Sequence, residues 1–281
     1  MNEMDMPMND IDGALSATSQ GTEAPTGVLQ RGLLVLDFLR NASRPLPLGE
    51  IADGIGLDTS TVLRALKVLV ESGYALRIDP AKTYIVGPNL VMPFGFQHPL
   101  IALRLDCHGY LVDLMAETSM TATLFVLIGR HRITLDLVLG RDRITRTYGA
   151  EVASPIHTST SGKLLLMATP PEQWTELIGD EPYLSFTETT ITDRASLEAD
   201  IRKSVERGYM RSGDETARGL FGITAPLRGP QDRIIAGINL YCHSRWVTQE
   251  KERQAADALL RACHMVELTS AALPALNSYL S

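Results

Sequence analysis

The spacing of apolar residues changes character along the chain. In VLQRGLLVLDFLR, residues 28–40, Val28, Leu29, Leu33, Leu36 and Leu39 recur at three and four, the repeat of an amphipathic helix. After NASRP, Pro45–Leu48 reads as extended and Gly49–Ile55 as a short helix that Gly56 ends in a turn. A third helix starts at Asp58 or Thr59, either of which can cap it, and runs to about Ser72, where Gly73 stops it. Its Val62, Leu66 and Leu69 form one line, with Leu63 and Val70 beside it, and this face is expected to pack on Leu33, Leu36, Ile51 and Ile55. YALRI and TYIVG flank DPAK as a hairpin would. Three helices and a hairpin predict a winged helix-turn-helix domain over residues 27–88.

Beyond it the pattern is less regular. Pro93 and Pro99 interrupt a helical stretch, which predicts a helical linker over residues 89–103 and a helix through about Glu117. The period then switches to two. ATLFVLIG and RITLDLVLG read as strands joined at Gly129–Arg132. Helices are expected at 161–168, 171–179 and 193–207, strands near 209–212, 222–228 and 233–242, and a final helix over about 248–272. This order predicts an α+β fold, with helices on an antiparallel sheet in a second domain at 104–281. Residues 1–26, poor in apolar and aromatic residues, read as a disordered tail.

Composition narrows the function. The 281 residues are 44% hydrophobic and carry a net charge of −7, which excludes a wholly basic nucleic-acid coat but not one local DNA-binding face. Residues 28–95 hold seven Lys and Arg against six Asp and Glu, whereas 96–281 hold 19 against 22. The three cysteines, Cys107, Cys242 and Cys263, have no CxxC or metal-ligand spacing and fit a reducing cytoplasm. No apolar run approaches the length of a membrane span, and the acidic N-terminus has no secretory-signal pattern.

The third helix carries its small polar and basic residues at its front: Thr59, Ser60, Thr61, Arg64 and Lys67. A helix entering the major groove meets DNA mainly through its N-terminal residues. Short hydroxyl side chains permit close approach there, and Arg or Lys one turn on reaches a guanine or a phosphate. The bland reading is a well-capped helix start with a solvated face. The preceding helix and Gly56 turn, and the hairpin with Arg77 and Lys82 after it, favour a DNA-facing tip.

The region also resembles a known family. Arg31-Gly32-Leu33, Glu50-Ile51-Ala52, Gly56-Leu57-x-x-Ser60-Thr61-Val62-x-Arg64-x-Leu66, Leu69-Val70-Glu71-x-Gly73-Tyr74 and Tyr84-x-Val86-Gly87 are similar to the DNA-binding domain of the IclR family of bacterial transcriptional regulators. The resemblance implies that Ser60, Thr61 and Arg64 read the operator, with Arg31 a backbone contact or a packing residue. Thr59, Lys67 and Lys82 complete the expected DNA-binding set. Asp58 stands where the family often has Pro, which changes only the cap, and Leu63 where it has a polar residue, which implies a different base preference.

The second domain shows no catalytic pattern. His98, His108, His131, His157, His243 and His264 make no HxH, HxxxH or HExxH spacing. His157 lies near Ser154, Ser159 and Ser161, but no GxSxG elbow is present, and the run reads as a hydroxyl-rich loop before a helix. TSTSGK, 158–163, lacks the full phosphate-loop pattern. Thr160-Ser161-Gly162-Lys163-x-Leu165-Leu166, Arg207-Gly208-Tyr209, Asp214-Glu215, Gly219, Ile223-x-Ala225-Pro226-Leu227 and Ile235-Ala236-Gly237-Ile238-Asn239-Leu240 resemble the IclR effector-binding domain, which implies a GAF-like sensor fold.

By position the resemblance implies a pocket at the start of the 161–168 helix and at Ser212, Gly222, Asn239 and Tyr241. Phe125, Thr160, Ser161 and Gly162 complete the expected effector-binding set. Family members that bind small oxo-acids have an Asp, a Cys and two Ser at the last four positions. Gly222 makes room and Tyr241 offers a flat face with a polar tip, which points to a larger effector, an aromatic or hydroxylated acid. The bland alternative is that Tyr241 is core and Asn239 caps a sheet edge.

The expectation is therefore a cytoplasmic regulator of catabolic genes that is not an enzyme and has no cofactor, metal site or membrane contact. Its partners are double-stranded operator DNA, a small-molecule effector and further copies of itself, as a homodimer or homotetramer. Residues 28–40 and the linker near 90–100 are the expected dimer surfaces. The competing reading is a metabolite-binding or enzymatic domain with a vestigial DNA-binding module.

Overall fold

The structure is a computed structural model that describes residues 27–91, 95, 97–141 and 154–280. The tail expected at 1–26, and Pro93 in the expected linker, lie outside the described residues. The chain divides into two compact units, 1–95 and 96–281.

The first unit contains α1 (Val28–Arg40), β1 (Leu46–Pro47), α2 (Leu48–Ile55), α3 (Thr59–Glu71), β2 (Ala75–Ile78), β3 (Thr83–Val86) and the short α4 (Pro88–Val91). The three strands form an antiparallel sheet in the order β1-β3-β2. Gly56 adopts φ 68° at the end of α2, a left-handed conformation that turns the chain sharply into α3. Val62 and Leu66 of α3 are fully buried, together with Val35, Leu39, Ile51 and Tyr84.

Here α1 departs from the expected face. The core takes Val35 and Leu39, with Phe38 partly buried, whereas Val28, Leu29 and Leu33 are exposed, Val28 by 86%. Leu33 and Leu36 are not part of the core that Val62 joins. The run Leu33-Leu34-Val35-Leu36 is apolar on every side, so periodicity does not distinguish which side meets α3.

The second unit contains α5 (Pro99–Thr118), β4 (Thr121–Ile128), β5 (His131–Val138), α6 (Thr160–Met167), α7 (Trp174–Ile178), α8 (Arg194–Arg207), β6 (Met210–Gly213), β7 (Leu220–Arg228), β8 (Ile234–His243), α9 (Gln249–Thr269) and α10 (Ala272–Tyr279). Leu100, Ile101 and Leu103, placed in the linker by the sequence reading, are buried residues of α5. The five strands form one antiparallel sheet in the order β5-β4-β8-β7-β6. Helices α5 and α9 pack together and against the sheet, α6 against β7, β6 and β8. The pleat divides the sheet: Ala122, Leu124, Ile223, Ala225, Ile238 and Leu240 alternate with Thr121, Thr123, Phe125, Gly222, Thr224, Asn239 and Tyr241.

The final helix expected over 248–272 is two helices. Ser270 is extended, its hydroxyl donates to Asp106 Oδ2 (2.6 Å) and it accepts from the Ala272 N–H (3.2 Å). Pro274 then falls in the first turn of α10, where proline is tolerated as it is not inside a helix.

Candidate functional site

Two helix starts carry the candidate residues. At α3, Asp58 Oδ1 accepts from the Thr61 N–H (2.8 Å) and from the Ser60 hydroxyl (2.6 Å), as an N-cap does. These bonds hold its carboxyl well below the usual carboxylate range. Arg64 lies back along the same turn, donating from Nε to the Ser60 carbonyl and from Nη2 to Thr61 Oγ1, both at 3.3 Å. Thr59, Ser60, Arg64 and Lys67 are exposed and Thr61 half-buried; Lys67 stands 4.0 Å from Glu71. Leu63, which is 47% exposed, lies beside this tip rather than in the core. Lys82 is exposed in the β2–β3 turn, and Arg77 pairs with Asp79 at 3.1 Å. Arg31 sits half-buried on α1. The arrangement presents hydroxyls, cations and a helix N-terminus on a rigid support, which suits a phosphate backbone and base edges.

At α6 the corresponding groups are buried. Ser159 caps the helix, accepting from the Gly162 N–H (3.2 Å) and donating to the Pro155 carbonyl (2.7 Å). Thr160 Oγ1 meets Thr224 Oγ1 at 2.7 Å and Asn239 Oδ1 at 3.2 Å, and Thr224 Oγ1 is also 3.0 Å from Asn239 Oδ1. Ser212 donates to the Thr158 carbonyl (2.8 Å), and Thr158 pairs with Thr216 (2.9 Å). The buried Arg132 guanidinium donates to Ser159 Oγ (3.0 Å), Ser161 Oγ (3.1 Å) and the Ser154 carbonyl. Lys163, with no exposed surface, donates to Asp200 (2.7 Å) and Glu215 (2.8 Å), tying α6 to α8 and to the β6–β7 connection. Burial pushes the Glu215 carboxyl up, and Lys163 pulls it back only in part.

Between α6 and the sheet lies an open-mouthed cavity of about 50 Å³. Phe125, Thr160, Ser161, Ser212, Gly222, Asn239 and Tyr241, all expected there, line it. Gly162 does not: a Cβ on it would stand 2.1 Å from the Ile156 carbonyl oxygen, so this glycine lets α6 approach the preceding segment. Gly222 is different, since a Cβ there meets nothing closer than 3.5 Å and would only take up space. Sequence reasoning missed Thr123, Ser154, Ser159, Thr216, Leu220 and Phe221 on the wall and Arg132 behind it. Thr123 lies two residues before Phe125 on the same face of β4, and that period was the available signal; Arg132 carried none.

Among the described residues His157 is not paired with a serine. Its Nε2 donates to the Leu184 carbonyl (2.9 Å), and burial pushes its imidazole below the ordinary value. A larger groove, about 380 Å³, is lined by Glu117, Met120, Trp246 and Lys251 among others. None of the buried unpartnered oxygens among the described residues lies on it, so the smaller cavity is the better candidate for specific recognition.

An exposed helix-turn-helix tip and a hydroxyl-lined cavity in an α+β domain are the features of a ligand-responsive transcriptional regulator. The family comparisons agree. Residues 28–78 match the IclR helix-turn-helix domain and residues 101–267 the bacterial transcriptional regulator IclR C-terminal domain. The chain belongs to the IclR family of bacterial transcriptional regulators. It is 26% identical over 241 residues to the HTH-type transcriptional regulator XynR of Escherichia coli, covering 83% of this chain and 96% of that protein. The crystal structure of Thermotoga maritima IclR superposes with a TM-score of 0.73 at 25% identity, over 85% of this chain and 97% of that one. An IclR homologue from Microbacterium hydrocarbonoxydans complexed with 4-hydroxybenzoate shares the fold, with a TM-score of 0.69 at 20% identity over 86% of this chain and 98% of that one.

Proposed function

We propose that this chain binds double-stranded operator DNA in the cytoplasm through the first turns of α3, that it does so as a homodimer or homotetramer, and that an effector in the α6 cavity alters that binding. The observation that carries the reading is the split character of α3. Val62 and Leu66 are wholly buried, while Thr59, Ser60, Arg64 and Lys67 are held in the open by a cap and a Gly56 turn. One recognition helix covers only a few base pairs, so paired half-sites need a second copy. The exposed Val28, Leu29 and Leu33 on α1 offer that copy an apolar surface.

The effector is proposed to be an aromatic or hydroxylated acid, and the genes under control to be catabolic. The serine- and threonine-rich wall supports a hydroxylated compound, and the 4-hydroxybenzoate held by the Microbacterium homologue supports an aromatic one. Engineered cavities that hold benzene measure about 150 Å³. At about 50 Å³ the present cavity must widen before a ring enters, whereas a compact hydroxy acid needs less movement. The bonding of His157 to a backbone carbonyl rather than a serine supports a sensor rather than a hydrolase.

The test selects duplexes from a random pool with the full-length protein and measures binding by fluorescence anisotropy. Arg64→Ala is expected to weaken the selected sequence by roughly 1–3 kcal/mol, about five- to 150-fold, and to relax one base position. Lys67→Ala is expected to weaken all sequences alike and to flatten the salt dependence. Unchanged binding by Arg64→Ala would favour the vestigial-module reading.

A further inference from the structure

We propose that Thr123 and Tyr241 together read an uncharged hydroxyl oxygen on the effector, so that this cavity selects a hydroxylated ligand over its deoxy analogue. The inference rests on the reading of the cavity as the effector site and adds the chemical group it recognises. Thr123 is 3% exposed and Tyr241 4%, both line the cavity, and neither hydroxyl has a hydrogen-bond partner among the described residues. Native proteins seldom leave a buried hydroxyl unpaired, and one that faces a cavity marks a place for a bound partner.

Register brings the two together. Thr121 pairs with Tyr241 and Thr123 with Asn239, so Thr123 and Tyr241 are diagonal neighbours on the cavity side of β4 and β8. The hydroxyls around them are engaged elsewhere. Thr160 and Thr224 bond each other and Asn239, and Ser212 gives its proton to the Thr158 carbonyl. Ser161 accepts from Arg132.

The chemistry of the wall chooses the ligand group. Among the described residues none lining the cavity is charged, and the Arg132 guanidinium behind it is engaged by Ser154, Ser159 and Ser161. A carboxylate pressed against two neutral hydroxyls on such a wall gains no ion pair for its lost hydration. A ligand hydroxyl, able to accept from one side chain and donate to the other, matches both. An acidic group on the same ligand would then point away from this corner.

The experiment uses full-length protein with Thr123→Val and Tyr241→Phe, each of which deletes a hydroxyl and little else. Calorimetry is run with two pairs of probes, 4-hydroxybenzoate against benzoate and glycerate against propionate. Wild-type protein is expected to bind the hydroxylated member of one pair at least about tenfold more tightly than its partner. Each variant is expected to lose that preference while its unliganded melting temperature stays level or rises, because no internal bond has been removed. Equal affinity within both pairs, preference for the deoxy acids, or binding of neither pair overturns the proposal. So does a variant that melts several degrees lower, since its hydroxyl then serves the fold. The reading of the cavity as a regulatory site fails separately, if a probe that binds tightly leaves operator affinity unchanged.

Discussion

Asp58-Thr59-Ser60-Thr61 opens α3 and Thr158-Ser159-Thr160-Ser161 opens α6, nearly the same residues at two helix starts. In each, one side chain caps the first turn. At α3 the bonds stay within the stretch 58–64, among Asp58, Ser60, Thr61 and Arg64, and the side chains remain largely in solvent. At α6 the run is buried, and its hydroxyls reach Thr216 in the β6–β7 connection and Thr224 and Asn239 on distant strands. Exposed, these residue types keep capacity for a large external partner such as DNA. Buried, they must be satisfied from within, and the hydroxyls of Thr123 and Tyr241 beside them, which are not, are the ones proposed to meet a ligand.

The largest break in this comparison is expected from the two lysines. Lys163→Ala leaves Asp200 and Glu215 without their buried cation and is expected to destabilise by about 3 kcal/mol, measured by denaturant unfolding. That is the low end for such a loss, because Asp200 keeps a quarter of its side chain exposed. Lys67→Ala removes only the exposed 4.0 Å pair with Glu71 and is expected to change stability by less than about 0.5 kcal/mol.

A smaller contrast separates the two caps. Ser159→Ala takes an acceptor from the Gly162 N–H and from the buried Arg132, with an expected loss of about 1–2 kcal/mol. Asp58→Ala is expected to affect stability less, since water reaches the freed Thr61 N–H, so equal losses in the same unfolding experiment would break the contrast between buried and exposed helix starts.

The smallest effect is in the pH dependence. The His157 imidazole is held below its ordinary value of 6.5 by burial, so the folded state binds that proton more weakly than the unfolded chain does. The stability this contributes is present above pH 6.5 and is lost as pH falls from there. Asp58 is also depressed, from an ordinary 3.8, so its contribution persists at mildly acidic pH and is lost only as pH falls below that value. Melting curves from pH 8 to pH 3 should therefore show the loss near neutrality flattened in His157→Phe and unchanged in Asp58→Ala.

Much of this was legible in the residues. The order of helices and strands followed from periodicity, and the seven of eight expected effector residues that line the cavity were named by the family resemblance; Thr160 and Ser161 reach it from α6, and strand alternation brings Phe125, Gly222, Asn239 and Tyr241 to the same face. The illegible part depended on pairing between distant segments. Gly162 read as a site residue and is instead a packing contact with Ile156. Thr123 was one threonine in an apolar strand until β4 paired with β8 and set it diagonal to Tyr241. Arg132 read as a turn residue, yet it is buried against Ser159 and Ser161. The apolar repeat of α1 named Val28 and Leu33 for a core that takes Val35 instead.

By itself the sequence determined what is local: where helices start and stop, which turns need glycine, and that α3 has a polar front and an apolar back. Those properties depend on neighbours a few residues away. Only the tertiary structure decided which of two hydroxyl-rich helix starts faces solvent and which is buried. It also decided which hydroxyls lack a partner, because burial and hydrogen bonding depend on chain segments that approach only after folding.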